Sequence, residues 1–370
     1  MGTGGDGAGG DVLRLGNLLR MGVLWTLCLI YSHLCHIVLR LRSRYQSQGL
    51  RPFELCSPAA CRKPACIVTG ASSGIGRATA SALALRGFHV ILAGRSLERL
   101  QVVRAEIEAH SPSVSCQTLA LDLCSVPSIL NFTRTVKKLF EADGAPGKLH
   151  LLVNNAGILA TSERWTEDGF DVMMASNYLG PYILTRELLP LLQKNAPQAR
   201  IVNLVSFTHR AVQRAQVNVR QLGSGGIRRK HTRSDIYHLA QIYETSKLFM
   251  ILFSYELHRQ FFSNFEPESR VSVIAADPGA VSTNILREVP SWLAHLSSIV
   301  LSLLGLLQPP KSGASAVVAA AMAPWELSGK YVFGNDGLCC KSSSITYDEK
   351  LGCSLWNASE NIYKEALSRH

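Results

Sequence analysis

A chain of 370 residues is long enough for one large domain with extensions or for two small domains. Hydrophobic residues make up 47% of the chain and charged residues 18%, which excludes wholesale disorder and allows a sizeable core. The formal net charge of +11 leaves nucleic acid, an anionic membrane or an anionic cofactor open as partners. The ten cysteines are scattered without zinc-binding spacing, so we expect free thiols in a reducing compartment and no metal site.

The N-terminal part of the chain predicts a membrane anchor. We expect residues 1–20, which begin with a glycine-rich stretch, to be disordered. Residues 21–39 then form an uncharged run of 19 residues, about enough to cross a bilayer as a helix. A cleaved signal peptide is the alternative, but the run is long for one and no small-residue cleavage motif closes it. More arginines follow the run than precede it, which favours a main domain in the cytosol.

The main domain is expected over residues 63–340, between a polar linker at residues 40–62 and a polar C-terminal tail at residues 341–370. It starts with an apolar run, a glycine-rich turn and a helix. In this context glycines allow a tight turn and a close approach to a pyrophosphate at the helix N-terminus. The spacing differs from that of the commoner dinucleotide fingerprint. The residues of this turn expected to contact the cofactor are Gly70, Ser72, Ser73, Gly74, Ile75 and Gly76.

The end of the second predicted strand indicates which dinucleotide binds. An acidic residue there holds the ribose hydroxyls of NAD, whereas an arginine pairs with the 2′-phosphate of NADP. This strand ends in Gly94-Arg95 and carries no acid. Arg95 therefore favours NADP(H), with an ordinary surface arginine as the alternative.

Near-continuous apolar strands alternate with amphipathic helices through the domain. This pattern predicts an α/β fold, a Rossmann-type doubly wound parallel sheet with helices on both faces, preceded by the N-terminal transmembrane helix. At the ends of later strands, Asp122 and Leu123 are candidates to contact the adenine. Asn154, Ala156 and Gly157 form a small-residue turn beside the expected cofactor. Ordinary loop chemistry would explain these last two features equally well.

Tyr243 and Lys247 lie four residues apart on a predicted helix and therefore project from the same face. A free tyrosine titrates near about 10. A neighbouring ammonium would lower that pKa and so create a general acid and base. By itself the pair also fits a solvated helix face. Asn177, which is unfavourable inside a helix, and Ser206, which ends a strand, are further candidates.

Two segments near this pair have unusual composition. Residues 207–242 hold seven basic residues and one acidic residue, so much of the excess charge is local. We expect a flexible solvated loop there, or a lip that contacts anionic lipid. No nucleic-acid binding is expected because no aromatic platform accompanies the arginines. Residues 292–307 form a second apolar run, too short and polar for a confident span, which fits an amphipathic lid or a membrane-dipping segment.

Taken together, these motifs resemble the short-chain dehydrogenase/reductase family over residues 63–340, and its retinol-dehydrogenase-like branch in particular. The residues that carry the resemblance are Thr69 to Gly76, Asn154 to Gly157, Asn177, Ser206, Tyr243, Lys247, Pro278 and Gly279. The resemblance implies NADP(H)-dependent interconversion of an alcohol and a carbonyl on an apolar retinoid, steroid or polyprenoid. It also implies a single-pass membrane protein, expected in the endoplasmic reticulum.

The resemblance also assigns roles by position. Tyr243 would donate or accept the proton, and Ser206 would hydrogen-bond the substrate oxygen. Lys247 would lower the tyrosine pKa and bind the nicotinamide ribose, while Asn177 would hold a water. Pro278, Gly279 and Thr283 would flank the nicotinamide carboxamide. We expect a carbonyl reductase; the alternative is an NADP-binding scaffold at the membrane without turnover. A homodimer remains open.

Overall fold

The computed structural model describes residues 6–43, 63–111, 113–141, 148–196, 199–214, 238–266 and 269–370. Most of the predicted linker, at residues 44–62, lies outside these ranges. The same is true of residues 215–237, which hold most of the predicted basic loop.

The domain is built on a mostly parallel sheet, as predicted. Its strands and a small separate pair are β1 (Ala65–Thr69), β2 (His89–Gly94), β3 (Ser115–Ala120), β4 (Leu149–Asn154), β5 (Arg200–Leu204), β6 (Ser272–Asp277), β7 (Ala280–Val281), β8 (Leu307–Gln308), β9 (Lys330–Phe333) and β10 (Cys339–Cys340). The sheet has the order β3-β2-β1-β4-β5-β6-β9-β10, and β10 is antiparallel to β9. Strand order reverses between β1 and β4, so a crevice opens at their carboxyl ends.

Helices cover both faces of the sheet. They are α1 (Asp6–Ser43), α2 (Gly74–Ala84), α3 (Leu97–His110), α4 (Val126–Glu141), α5 (Gly180–Gln193), α6 (Leu239–Asn264), α7 (Ser291–Leu303), α8 (Pro310–Ala321) and α9 (Glu349–Arg369). Neighbouring side chains of each strand point to opposite faces. Thus Ile67 of β1 packs with α4, α5 and α6, whereas Cys66 and Val68 pack with α2, α3 and α8. The prediction of a doubly wound α/β fold is confirmed.

The N-terminal helix α1 is longer than predicted. It begins at Asp6, so residues 6–20 are helical here rather than disordered. The stretch Leu18–Arg42 has a mean hydropathy of 1.7 over its most apolar part and is long enough to cross a membrane. One side of α1 packs on the main domain, with Leu29 and Ser32 almost completely buried.

The predicted polar tail is instead mostly a helix of the domain. The 21 residues of α9 pack against α5 and α6, and Leu355 and Ile362 join the main core. Tyr178 beside α5 and Ser359 of α9 share a hydrogen bond of 2.7 Å between their hydroxyls. The domain therefore continues to the C-terminal end of the described residues.

Candidate active site

The glycine turn after β1 is shaped by close backbone contacts. Gly70 has φ +67°, a conformation that favours glycine, and a Cβ on it would lie 2.9 Å from the Cα of Ala156. A Cβ on Gly76 would overlap the carbonyl oxygen of Gly70 and the side chain of Asn155. Any larger residue at either position would push the two turns apart.

Thr69 ties this turn to the one that follows β4. Its hydroxyl accepts hydrogen bonds from the backbone N–H groups of Asn155 and Ala156, each at 3.0 Å. The Asn155 side chain donates in return to the Thr69 carbonyl at 2.7 Å. Sequence reasoning placed Asn155 within the Asn154 to Gly157 motif but not among the expected cofactor contacts. Asn154 is buried inside the sheet, where its amide donates to Thr185 and Asn203.

The N-terminus of α2 offers a site for an anion. Ser73 is the residue before the helix; it is exposed and makes no side-chain capping bond among the described residues. A Cβ on Gly74 would lie 3.1 Å from the Cγ2 of Thr283. Thr283, the residue predicted to flank the nicotinamide carboxamide, therefore borders the glycine turn. Unpaired N–H groups and the helix dipole favour negative charge at such an end.

The expected adenosine contacts lie along the same edge of the sheet. Arg95 is exposed directly after β2. Asp122 is half-buried after β3, and one of its carboxylate oxygens accepts from the backbone N–H of Cys124 at 2.9 Å. Leu123 is buried beside it. An arginine that is free of packing constraints at this position can reach a ribose 2′-phosphate.

The predicted catalytic residues come together at the carboxyl ends of β4, β5 and β6. Ser206 follows β5 and caps the 3₁₀ turn Phe207–Ala211, where its hydroxyl accepts from Thr208 N–H at 3.3 Å. The same hydroxyl lies near Tyr243, at the start of α6, and lowers the pKa of its phenol. A substrate oxygen between two such hydroxyls would receive hydrogen bonds from both.

Lys247 and Asn177 complete this group. The Lys247 ammonium is buried, donates to the Leu204 carbonyl at 3.2 Å and lies 5.8 Å from the centroid of the Tyr243 ring. A Cβ on Gly157 would lie 3.3 Å from Asn177 Oδ1 and 3.5 Å from Lys247 Nζ. Glycine is therefore the residue that lets the turn after β4 approach both side chains.

Asn177 lies in a π-helical turn, Ala175–Leu179, directly before α5. It is buried, its Oδ1 accepts from the Ile158 N–H at 2.8 Å, and its amide donates to the Ile158 carbonyl at 3.0 Å and to Ser246 at 3.2 Å. It thus joins the turn after β4 to the helix that carries Tyr243 and Lys247, the predicted catalytic pair. A π turn aims one side chain out of the regular helical register, and such turns are frequent at functional sites.

The electrostatic prediction for Tyr243 needs correction. Burial and the nearby Asp277 carboxylate raise the pKa of the phenol, and the neighbouring Ser206 hydroxyl lowers it by less. Burial also lowers the pKa of Lys247 to about 8, an effect that Asp277 opposes. In the protein alone, the pKa of Tyr243 is therefore raised rather than lowered, because burial and Asp277 outweigh the effect of Ser206.

Asp277 is a site residue that sequence reasoning did not single out. It ends β6 just before Pro278, is fully buried, and accepts from the Tyr331 hydroxyl at 2.6 Å and from the Gly279 N–H at 2.9 Å. Burial raises its pKa to about 6 despite these bonds. Its position immediately before the predicted Pro278-Gly279 motif was the available signal.

One side of Tyr243 borders an apolar cluster. Leu159, Ala160, Met173, Val289 and Leu293 form its buried part, and Leu18, Trp25, Ile158, Leu239, Ile242, Tyr243, Ile285 and Leu286 pack around them. The cluster thus joins α1, α6, the residues before α7 and the turn after β4. An apolar molecule with its reactive end at Tyr243 would meet this surface.

Comparison with known proteins identifies the family. The profile of a family described as short chain dehydrogenase matches residues 64–218. Polyprenol dehydrogenase of Homo sapiens is 34% identical over 299 residues, which cover 79% of this chain and 83% of that protein. The chain belongs to the short-chain dehydrogenase family. Retinol dehydrogenase 13 of Mus musculus is 33% identical over 307 residues, or 82% of this chain and 84% of that protein. The resemblance to the retinol-dehydrogenase-like branch is confirmed.

Solved structures of other proteins share the fold of this one. A structure from Mycobacterium paratuberculosis has a TM-score of 0.59 and 26% identity, and the match covers 83% of this chain and 96% of that chain. The angucycline C-6 ketoreductase LanV with bound NADP has a TM-score of 0.55 and 23% identity, covering 74% and 95%. At such low identity the second likeness shows the Rossmann-type fold alone.

The glycine turn of this short-chain dehydrogenase fits a nicotinamide dinucleotide. Gly70 and Gly76 have no side chain where their backbone approaches the turn after β4. At the start of α2, the Ser73 hydroxyl makes no capping bond among the described residues and is available to a ligand. Pro278 is buried behind this site, and Gly279 has φ +74°. The residues that would hold the cofactor are thus grouped at one edge of the sheet, with the predicted catalytic pair, Tyr243 and Lys247, at the same edge.

Proposed function

We propose that this short-chain dehydrogenase is an NADP(H)-dependent reductase of a carbonyl on an apolar, lipid-like substrate such as a retinoid, steroid or polyprenoid. The observation that carries the proposal is the position of Tyr243. Its phenol lies near the Ser206 hydroxyl, which lowers the pKa of the phenol, while its ring borders the apolar cluster. A polar reaction centre next to an apolar wall suits a carbonyl at the end of a long apolar molecule.

Arg95 supports the choice of NADP(H). It follows β2, where an arginine can pair with the 2′-phosphate and where NAD enzymes place an acid. Cells keep the NADP pool largely reduced, so dependence on NADPH would favour carbonyl reduction. The names of two relatives, polyprenol dehydrogenase and retinol dehydrogenase 13, support a lipid alcohol or carbonyl as the substrate.

The side chains at the site have separable roles in the proposed reaction. Bound NADPH supplies a hydride to the carbonyl carbon. Ser206 holds the carbonyl oxygen by a hydrogen bond, and Tyr243 delivers a proton to it. The tyrosinate that remains is stabilised by the positive charge of Lys247, which counts more in a buried site than in water. Asn177 fixes the turn after β4 beside Lys247.

The apolar N-terminal helix and the exposed apolar side chains of α7 support attachment to a membrane. We infer that the protein is anchored in the endoplasmic reticulum membrane with its domain in the cytosol. More arginines follow the apolar run than precede it, which favours this orientation. Contact of α7 with lipid would let an apolar substrate reach the site without crossing water. Attachment to the membrane thus agrees with the apolar substrate proposed above.

The test is turnover by the full-length protein in detergent with retinal, a steroid ketone and a polyprenal, each with NADPH and NADH. We expect NADPH-dependent reduction of at least one carbonyl. Tyr243→Phe should lower turnover about 100- to 10,000-fold while cofactor binding persists, because it removes the proton donor. Tyr255→Phe is the matched control: it removes another buried hydroxyl of α6, bonded to Ser342 at 2.8 Å, away from Tyr243.

Two results would contradict the proposal. One is cofactor binding without turnover of any carbonyl or of the corresponding alcohols, which favours a scaffold. The other is turnover that Tyr243→Phe leaves unchanged, since the reaction would then use a different proton donor.

A further inference from the structure

Helix α1 makes a specific contact with the catalytic helix. The indole N–H of Trp25 donates to the carboxylate of Glu244 at 2.6 Å, and Glu244 is the residue next to Tyr243. The Trp25 and Tyr243 rings also lie with their centroids 5.3 Å apart. A membrane tether that served only to hold the domain would have no need for a hydrogen bond beside the catalytic tyrosine.

Two further polar contacts fix the same side of α1. The Ser32 hydroxyl accepts a hydrogen bond of 3.0 Å from the guanidinium of Arg210, which belongs to the 3₁₀ turn Phe207–Ala211. His36 lies 2.7 Å from the Asp336 carboxylate, between β9 and β10. Together with Trp25, these residues are spaced so that one face of the helix makes all three contacts. Helix α1 is therefore held in a defined rotation over the catalytic end of the sheet.

His33 brings the same face of α1 to the expected cofactor site. A Cβ on Gly279 would lie 3.9 Å from His33 Nε2, and the imidazole packs edge-on against Phe333 with centroids 5.1 Å apart. This nitrogen is buried and has no hydrogen-bond partner among the described residues. Helix α1 thus borders both the catalytic tyrosine and the motif expected to contact the nicotinamide.

The apolar cluster beside Tyr243 lies between α1 and α7. Trp25 packs on it from α1, and Leu293 is its buried contribution from α7. A substrate chain on this cluster would contact Trp25 and Leu293. Leu27, two positions after Trp25 and therefore on the opposite side of α1, is 58% exposed and faces away from the cluster.

We propose that α1 is a wall of the substrate site and that Trp25 is a specificity-determining residue that selects long apolar chains, of the isoprenoid class, over short carbonyls. This proposal rests on the proposed function, since it names the part of the substrate that Trp25 contacts. The Glu244 hydrogen bond holds the indole plane against the Tyr243 ring. The chain of the substrate then packs on the indole while its carbonyl reaches Ser206 and Tyr243.

The test compares two aldehydes with the same reacting end, geranylgeranial with twenty carbons and 3-methylbut-2-enal with five. The readout is the ratio of their kcat/KM values for the full-length protein in detergent, because an effect on the common chemistry cancels in the ratio. We expect Trp25→Ala to lower the ratio of long to short substrate by about fivefold or more. Trp25→Phe, which keeps a ring, should lower it less.

Leu27→Ala is the matched control, since it shortens an apolar side chain on the outward face of the same helix two positions away. Its ratio should match that of the unaltered protein. A fall of less than fivefold in Trp25→Ala, or an equal fall in Leu27→Ala, would overturn the proposal. The ratio of kcat/KM values for Trp25→Phe tests the same role of the side chain with an aromatic ring that preserves more of the packing.

A second measurement does not depend on turnover. The difference in tryptophan emission between the unaltered protein and Trp25→Phe gives the signal of Trp25. Geranylgeraniol, which does not absorb at these wavelengths, should shift that signal on binding, whereas 3-methylbut-2-en-1-ol should not. An unchanged signal with geranylgeraniol would overturn the role of Trp25. If the signal shifts but neither aldehyde turns over, the proposed reductase function fails while the assignment of the wall holds.

Discussion

Asp277 sets the charge balance around the catalytic pair. Its buried carboxylate raises the pKa of Lys247, which burial lowers to about 8. The same negative charge raises the pKa of Tyr243. Lys247 is therefore charged below about pH 8 and loses its charge above it, so reductase activity that needs the ammonium should fall along an alkaline limb near that pH.

We predict that Asp277→Asn moves this alkaline limb to lower pH by about one unit, because it removes the opposite charge that keeps Lys247 protonated. The measurement is kcat/KM for the preferred carbonyl from pH 6 to 10. Tyr331→Phe is the control, since it removes the hydroxyl that donates to Asp277 and keeps the carboxylate. An alkaline limb that stays in place or moves upward in Asp277→Asn would show that this carboxylate does not act on Lys247.

Much of the site can be predicted from residue identities and spacing. Tyr243 and Lys247 share a helix, so a four-residue spacing places them together. The direction of the Tyr243 pKa could not be predicted, because it depends on burial and on Asp277, which lies on another strand. The side chain of Asn154 is similar: its partners come from α5 and β5, which the sequence does not reveal.

At the level of elements, α9 shows how a polar sequence hides a packed helix. Leu351, Leu355, Ala358, Ile362 and Ala366 recur at helical spacing, and Asp348 caps the first turn by accepting from Leu351 N–H at 3.0 Å. Polar residues and the charged Glu360, Lys364 and Glu365 lie between them, which made the segment resemble a tail. Its docking also uses polar contacts, such as Tyr363 to Glu187 at 2.6 Å, that no local pattern predicts.

We predict that Ile362→Ala destabilises the domain by about 2–4 kcal/mol, because it leaves a cavity between α9 and the core. Leu367→Ala, at an exposed position on the same helix, should change stability by less than about 0.5 kcal/mol. Urea unfolding of both proteins in detergent measures the difference. Equal midpoints would mean that α9 does not contribute to the core in solution.

For the whole molecule, the apolar faces of α1 and α7 lie on the outside. The exposed apolar side chains of α7 include Trp292, Leu296, Ile299 and Leu303, and those of α1 include Val23, Leu27 and Leu34. Exposed apolar area of this extent marks a surface that contacts a membrane or another protein. The amphipathic segment predicted at residues 292–307 is indeed largely helical, with Leu293 as its buried residue.

We predict that Trp292 enters the lipid when the protein is reconstituted in vesicles. Lipids brominated on the acyl chains should quench its emission, because bromine quenches only on close contact. The Trp292 signal is the difference between the unaltered protein and Trp292→Phe. The same subtraction for Trp356, which is half-buried on α9 and stacks on Phe253 of α6, is the control. Equal quenching of both signals, or none for Trp292, would exclude insertion of α7.

The hydrogen bond between Trp25 and Glu244 joins residues 219 positions apart. During synthesis the first helix therefore emerges long before its partner exists, and its apolar side chains must wait in a bilayer or on a chaperone. The contact between Trp25 and Glu244 can form only after the second half of the polypeptide has been translated. A version trimmed at residue 62 to improve solubility would lack this indole permanently, and its measured preferences among substrates would describe a different site.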